Sequence, residues 1–155
     1  MGRQPIASSS DIWSEWILHH RHAGDTAYDQ QVRTTIARFV ERVLDGARLA
    51  PGMTLVDIGT GDGLVALSAI ERIGPSLRVI LADISAPLFR HAESTAIERG
   101  VREQCSFLEL SADNLVGIAD ASVNAVTTRA VLAYVADKST ALREFYRILK
   151  PGGCV

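Results

Sequence analysis

The stretch VDIGTGDG, residues 56–63, decides how this chain folds, because it joins an apolar run to three glycines at alternate positions. Glycine lacks a Cβ atom, so it permits positive φ angles and a close approach of other groups to the backbone. A loop that leaves a strand and enters a helix presents free N–H groups and the positive end of a helix dipole to an anionic group. The stretch therefore predicts a strand, a ligand-binding turn and a helix in succession.

The rest of the chain continues this alternation. Short apolar runs predict strands at residues 53–58, 77–82, 105–110 and 123–128. Apolar residues at helical spacing predict helices at residues 64–73, 87–99 and 137–149. Alternating strands and helices predict a doubly wound, Rossmann-like α/β fold with a parallel sheet covered on both faces. Ligands of such folds lie beyond the carboxyl ends of the strands, where the glycine loop falls.

Residues 1–50 precede this pattern and predict an N-terminal helical segment. Residues 1–10 are small and polar and are expected to be frayed. A short helix at residues 11–20, capped by Ser10 or Asp11, would place four apolar side chains on one face: Ile12, Trp13, Trp16 and Ile17. A longer helix at residues 28–45 could end at Gly46. The tryptophans suggest a lid that closes the site against water.

Composition narrows the class of protein. The 155 residues suit one domain, and the hydrophobic share of 47% and charged share of 22% are those of ordinary globular proteins. A net charge of -2 gives no electrostatic footprint for nucleic acid. No apolar run approaches the roughly 20 residues that cross a bilayer, and two cysteines are too few for a disulfide scaffold. We expect a cytoplasmic protein with no membrane span and no nucleic-acid partner.

The spacing of the glycines narrows the ligand. A dinucleotide fingerprint needs a third glycine where Leu64 stands, and no Gly-Lys-Ser/Thr follows to make a P-loop. Asp83 ends the second strand and could accept hydrogen bonds from both ribose hydroxyls of a nucleoside, with Ile84 packed on the adenine. Two alternatives stay open. The glycines could form a simple tight turn, and Asp83 could cap the next helix, although Ser85 is better placed for that.

Four stretches in order resemble the motifs of class I S-adenosylmethionine-dependent methyltransferases. They are VDIGTGDG (56–63), LADIS (81–85), SADNL (111–115) and LREFYRILKPGG (142–153). The resemblance runs from about residue 51 to residue 155 and is nearest to the small-molecule group that includes quinone-biosynthesis methyltransferases. It implies a methyltransferase-type sheet in an S-adenosylmethionine-binding domain over residues 51–155, methyl transfer to a small molecule, and S-adenosyl-L-methionine as cofactor.

The resemblance also implies roles for cofactor-binding residues. The loop residues Gly59, Thr60, Gly61 and Gly63 would cradle the methionine part of the cofactor. Asp57 would orient that loop or meet the cofactor's ammonium group, directly or through water.

Four further residues take roles by the same resemblance. Asp83 would hold the ribose hydroxyls. Asp113 would accept from the adenine amino group, with a backbone contact from Ala112; a local Asx-turn is the alternative for Asp113. Arg129 would face the reacting methyl group, or serve instead as a structural salt-bridge donor.

Methyl transfer from a sulfonium needs little from the protein beyond alignment, exclusion of water and, for a hydroxyl acceptor, removal of a proton. The candidates for catalytic roles are His19, His20, His22, Arg129 and Tyr134. No carboxylate or cysteine was expected near the histidine cluster, so no metal site is predicted. Family members that methylate amide or nucleobase nitrogen carry an Asn/Asp-Pro-Pro-aromatic motif after strand four. Residues 127–130 read TTRA instead, which favours an oxygen or carbon acceptor.

The resemblance breaks at the C-terminal end. The family's sheet has seven strands, and this chain stops at Val155 as the fifth begins, so we expect an incomplete sheet with an open edge. Three explanations compete: a fragment of a longer enzyme, a homo-oligomer in which a second copy covers the edge, and a non-catalytic nucleoside-binding or partner-binding module. We favour a fragment that binds the cofactor and turns over poorly. A nicotinamide-dependent oxidoreductase is disfavoured by Leu64.

Overall fold

One parallel five-stranded sheet forms the centre of the computed structural model, which describes residues 11–155. The expectations for residues 1–10, a frayed terminus and a cap at Ser10, lie outside this range. The strands are β1 (Thr54–Ile58), β2 (Arg78–Asp83), β3 (Cys105–Glu109), β4 (Val123–Thr128) and β5 (Leu149–Cys154). Their order is β3-β2-β1-β4-β5, so β1 pairs with both β2 and β4. The predicted Rossmann-like fold is confirmed, and each of the four predicted strands matches within one residue at either end.

The helices cover both faces of the sheet, as predicted. They are α1 (Ile12–Glu15), α2 (Thr26–Ala47), α3 (Leu64–Ile73), α4 (Ala86–Glu98) and α5 (Lys138–Ile148). Gly46 does not end α2; the helix continues to Ala47, and Arg48 adopts the left-handed conformation with φ 48. Packing explains the difference, because the Ala47 side chain is buried in the core and holds the last turn in helical form.

Alternation along β1 divides the core between the two faces of the sheet. Leu55 joins a cluster with α2, α3 and α4 on one face, whereas Val56 and Ile58 join a cluster with α5 on the other. Helix α2 contributes Val40 and Leu44 to the first cluster, so this part of the N-terminal segment packs directly on the sheet domain. Among the helices that the structure describes, none is long and apolar enough to span a bilayer.

The N-terminal segment departs from the predicted single helix. Asp11 caps α1, because its Oδ1 accepts from the backbone N–H groups of Trp13 and Ser14, both at 2.9 Å. After one turn the chain widens into a π-helix, Trp16–His20. The wider turn changes the helical spacing. The predicted apolar face is nevertheless largely kept: Trp13, Trp16 and Ile17 line the cavity described below, whereas Ile12 is 73% exposed.

Candidate functional site

A cavity of about 440 Å³ opens at the carboxyl ends of β1, β2 and β4, a size in the range of small-molecule sites. Ten of the predicted site residues line it: Asp57, Gly59, Thr60, Gly61, Asp83, Ile84, Ala112, Asp113, Arg129 and Tyr134. Four predicted residues do not line it: Gly63, His19, His20 and His22. The wall also contains side chains from the N-terminal segment, including Trp13, Ile17 and Arg21. The fold thus gathers at one edge residues that are spread over more than a hundred positions of sequence.

Asp57 is the most deeply buried carboxylate of the site, only 2% exposed. Thr60 Oγ1 donates to its Oδ2 at 2.7 Å, and Thr127 Oγ1 donates to its Oδ1 at 2.8 Å. Burial raises the pKa of Asp57 to about 6, against the opposing effects of these two hydroxyls and of the Arg129 charge. The Thr60 bond ties Asp57 to the glycine loop, which is the orienting contact that the sequence predicted.

At two of the three loop glycines, a side chain from elsewhere in the chain occupies the space that a Cβ atom would need. Gly59 has φ 64, and a Cβ atom there would overlap Cγ2 of Val131 and come within 3.0 Å of its Cγ1. Gly61 has φ 59, and a Cβ atom there would lie 3.2 Å from Cδ1 of Ile17. Side chains from the β4–α5 connection and from the N-terminal segment therefore close over the loop, at positions where a side chain on the loop would exclude them.

Gly63 is closely packed and does not line the cavity, and its predicted place in the cofactor cradle stays a prediction. It is the N-cap of α3 with φ 80, and a Cβ atom there would meet Ala92 Cβ at 3.2 Å and Leu81 Cδ2 at 3.4 Å. These contacts come from α4 and β2, on the side of the loop away from the cavity. The glycine is needed because α3 starts in close contact with its neighbours.

Asp83 ties the glycine loop to the turn that follows β2. Its Oδ2 accepts from Gly61 N at 2.8 Å, and its Oδ1 accepts from Ser85 N at 3.0 Å. Ser85 caps α4 by accepting from Leu88 N at 3.4 Å, so the cap belongs to Ser85, as predicted, and not to Asp83. Each carboxylate oxygen can accept more than one hydrogen bond, so Asp83 keeps capacity for a ligand hydroxyl.

The opposite wall of the cavity carries Ala112 and Asp113 in a tight turn. Asn114 N donates to Ser111 O at 3.0 Å, and Ser111 Oγ donates to Asp113 Oδ1. The Asx-turn alternative is not seen, because Asp113 accepts from the Ser111 hydroxyl while Leu115 N donates to Glu144 Oε2 at 2.8 Å. Asp113 lines the cavity, and its predicted contact with adenine stays a prediction. Ile84, which is 59% exposed, supplies an apolar surface on the same wall.

Arg129 and Tyr134 follow β4 and line the cavity. Within residues 11–155 Arg129 forms no ion pair, so the structural salt-bridge alternative is not seen there. Tyr134 packs edge-on against Trp13, with ring centroids 4.7 Å apart. This pair joins the N-terminal segment to the loop after β4.

Two further contacts of the N-terminal segment had no signal in the sequence. Arg21 forms an ion pair with Asp62 of the glycine loop, with the two side chains only 14% and 16% exposed. Ser85 Oγ donates to Asp11 Oδ2 at 2.6 Å. Together with the Trp13–Tyr134 pair, these contacts attach the segment to three separate loops around the cavity. Their partners lie 41 and 74 positions apart, which no local pattern can reveal.

The histidine cluster is arranged differently from the prediction. Carboxylates do lie beside it: His22 Nδ1 is 2.7 Å from Asp29 Oδ1, and His20 Nε2 is 3.3 Å from Glu15 Oε1. The expectation that none is near was wrong, because the wide π-helical turn places Glu15 beside His20 and the turn before α2 places Asp29 beside His22. In the part of the chain that the structure describes, no three potential ligands are grouped around a metal-sized site. His19 is exposed on the surface.

The charges of the cavity suit a cationic nucleoside. Four carboxylates, Asp57, Asp62, Asp83 and Asp113, share the wall with two arginines, Arg21 and Arg129. Such a wall attracts the ammonium and sulfonium groups of S-adenosylmethionine. The chemistry of the residues therefore fits the cofactor that the sequence predicted.

The chain is a member of a methyltransferase family, since residues 56–155 match the family described as "Methyltransferase domain". This confirms the predicted class, S-adenosylmethionine-dependent methyltransferase. The matched range begins with the glycine-loop strand and excludes the whole N-terminal segment.

Individual relatives give a closer comparison. The ubiquinone/menaquinone biosynthesis C-methyltransferase UbiE of Hahella chejuensis is 32% identical over 110 residues, which are 71% of this chain and 44% of that protein. The tRNA 5-carboxymethoxyuridine methyltransferase of Escherichia coli is 31% identical over 115 residues, 74% of this chain and 42% of that protein. The chain thus spans less than half the length of these two curated relatives.

A solved structure extends the likeness to the N-terminal segment. The methyltransferase of the Haloferax volcanii complex with the activator Trm112 aligns with a TM-score of 0.74 and 26% identity, over 95% of this chain and 61% of that one. The expected exclusion of a nucleic-acid partner is not confirmed, because a tRNA methyltransferase is among the relatives.

Proposed function

We propose that this chain binds S-adenosyl-L-methionine in the cavity and transfers its methyl group to carbon or oxygen of a small-molecule acceptor. One observation carries the proposal: the buried Asp57, the glycine loop and Asp83 converge on a single cavity at the carboxyl ends of adjacent parallel strands. When bound, the cofactor supplies an activated methyl group on a sulfonium. The chain's own residues bind, orient and shield it.

The proposed roles follow the geometry of the wall. The loop Gly59–Gly61 and Asp57 receive the amino acid part, and Asp83 receives the ribose hydroxyls. Ile84, Ala112 and Asp113 face the adenine. Arg129 faces the reacting end, where its position on the cavity wall lets it orient an acceptor.

The acceptor half of the site supports a small apolar molecule. Trp13, Val131, Tyr134 and Val135 line it with aromatic and aliphatic groups, which exclude water from a methyl transfer. His19 and His22 lie off the cavity, which leaves Tyr134 as the candidate for proton removal from a hydroxyl. The excess of carboxylates on the wall disfavours a phosphate backbone.

Other predictions belong with this proposal. Residues 1–50 contain the lid, through the contacts of residues 11–22, and residues 51–155 hold the cofactor. A second copy at the sheet edge stays a prediction; β5 lies at that edge. Cys105 and Cys154 are free thiols, which supports a cytoplasmic location.

Asp83→Asn is expected to weaken binding of S-adenosylhomocysteine about tenfold, because the neutral amide loses a charge-assisted bond to the ribose. Titration calorimetry on the 155-residue chain measures this. Glu109→Gln is the matched control. Glu109 lies opposite Asp83 in the register of the neighbouring strands β2 and β3, but it does not line the cavity. An unchanged affinity in Asp83→Asn would contradict the proposed contact between Asp83 and the ribose hydroxyls.

Catalysis needs a separate test. Labelled methyl transfer is followed with a lipophilic phenol or quinol and, in parallel, with tRNA. A methylated small molecule would support the proposal. Methylation of tRNA alone would show that the acceptor is a nucleic acid and not a small molecule. Binding of S-adenosylhomocysteine without either product favours the alternative of a non-catalytic cofactor-binding module. Binding of NAD instead would point to an oxidoreductase.

A further inference from the structure

Arg21 is held at the cavity wall from two sides. Its Nη2 donates to Asp62 Oδ2, and its Nε donates to His22 Nε2 at 3.2 Å. Because His22 Nε2 accepts, the imidazole proton lies on Nδ1, where it is donated to Asp29 Oδ1 at 2.7 Å. A chain of polar contacts from Asp29 through His22 thus fixes the direction of the Arg21 guanidinium.

The fixed guanidinium keeps donors for another group. Its Nη1 donates to no atom within residues 11–155, although the side chain is only 14% exposed and lines the cavity. Asp62 follows Gly61, over which the Ile17 side chain packs. Arg21 therefore lies beside the loop that the proposed function assigns to the amino acid part of the cofactor.

The amino acid part carries a carboxylate as well as an ammonium group. Four carboxylates on the wall would repel that carboxylate, so it needs a cation. The described wall offers two, Arg21 and Arg129. Arg129 follows β4 and forms no ion pair within residues 11–155, whereas the ion pair with Asp62 holds Arg21 against the glycine loop itself. A planar guanidinium with fixed orientation is the group best suited to bind a carboxylate.

We propose that Arg21 recognises the carboxylate of the cofactor's amino acid part, and that His22 and Asp62 are positioning residues for it. This inference rests on the proposed function. It places a cofactor-reading residue in the N-terminal segment, outside the matched family range of residues 56–155. The segment then distinguishes the complete cofactor from nucleosides that lack the amino acid.

The test compares two ligands that differ in that part. S-adenosylhomocysteine has the amino acid, whereas 5′-methylthioadenosine keeps the nucleoside and sulfur but lacks it. Calorimetry on the 155-residue chain gives both affinities for the wild type, Arg21→Ala, Arg21→Lys and the matched variant Arg129→Ala. Arg21→Ala is expected to weaken the binding of S-adenosylhomocysteine about tenfold or more. Its effect on the binding of 5′-methylthioadenosine should be less than about twofold. Arg21→Lys should fall between, because it keeps the charge but not the fork of donors.

Each other outcome has a meaning. Equal losses of affinity for both ligands in Arg21→Ala would overturn the inference and leave Arg21 with only a structural role in the lid. A selective loss in Arg129→Ala, with none in Arg21→Ala, would assign the carboxylate to Arg129. A wild-type chain that is folded and binds neither ligand would overturn the proposed function and this inference with it. Normal binding of both ligands by Arg21→Ala would overturn the inference alone.

For the positioning role, His22→Ala is expected to show the same selective loss in smaller degree. His22→Asn, which can still accept from Arg21, should recover part of it. Equal effects of the two substitutions on both ligands would reduce His22 to a packing residue.

Discussion

Asp57→Asn should stabilise the protein at pH 8 by about 3 kcal/mol while weakening its binding of S-adenosylhomocysteine. The pKa of Asp57 rises from its ordinary value of 3.8 to about 6 because the carboxylate is buried. That rise corresponds to about 3 kcal/mol. An amide of the same shape avoids the cost of burying a charge and can still meet the hydroxyls of Thr60 and Thr127.

The sign of the pH dependence follows from linkage. A carboxyl group with a higher pKa in the folded protein than in the unfolded chain holds its proton more tightly when folded. Its contribution to stability is fully present below the unfolded pKa of 3.8 and is lost as the pH rises through about 6. The advantage of Asp57→Asn should therefore vanish near pH 4 and reach its maximum above about pH 7.

Urea unfolding at a series of pH values, without ligand, measures this difference. Glu71→Gln, at an exposed position on α3 with no ion pair within residues 11–155, serves as control and should follow the wild type at every pH. Calorimetry with S-adenosylhomocysteine should show at least about tenfold weaker binding by Asp57→Asn, since the ammonium loses its partner. A variant less stable than wild type at pH 8 would mean that the threonine hydroxyls outweigh the cost of burial.

Gly59→Ala is expected to destabilise the protein by about 3 kcal/mol. Left-handed backbone costs a non-glycine residue about 1–2 kcal/mol, and overfilling a packed site costs about 1–3 kcal/mol more. Both apply, because Gly59 has φ 64 and an added methyl group would overlap the Val131 side chain. Thermal and urea unfolding of the apoprotein measure the loss.

Gly52→Ala separates the two contributions. Gly52 also has a positive φ, 83, but an added Cβ atom there meets nothing within 4 Å, so only the backbone cost of about 1 kcal/mol applies. The double variant Gly59→Ala/Val131→Ala should lose less stability than the sum of the losses of the two single variants, because the smaller side chain at position 131 makes room for the added methyl group. Strictly additive losses would show that Val131 does not limit the space at Gly59.

The sheet and much of the cavity could be predicted from the sequence, because both depend on local patterns. Buried parallel strands are continuous apolar runs, so β1 through β4 were visible, and residues that end such strands must meet at one edge. Asp57 and Asp83 were found this way. At Gly63 the pattern is less informative, because it does not distinguish a ligand contact from the close contact with Ala92 that the structure shows.

The N-terminal contacts needed the structure. The Arg21–Asp62 pair joins residues 41 positions apart on segments without shared periodicity. The π-helical turn has no established sequence signature, although Ile17 and Arg21, within it and directly after it, contact the glycine loop. Asp29 lies seven positions after His22, in the first turn of α2, so their contact depends on how the chain turns between them and not on a local spacing.

The hydrogen bond between Thr127 and Asp57 sets an order of events during synthesis on the ribosome. Its two residues are 70 positions apart in sequence and face each other across the β1–β4 pair. A nascent chain that has exposed only β1 through β3 has no partner from β4 for the Asp57 carboxylate. Closing so long a loop is slow compared with local pairing. The cofactor pocket is therefore completed only after β4 has emerged, later than the helices α2 and α3 on either side of the β1–glycine-loop segment.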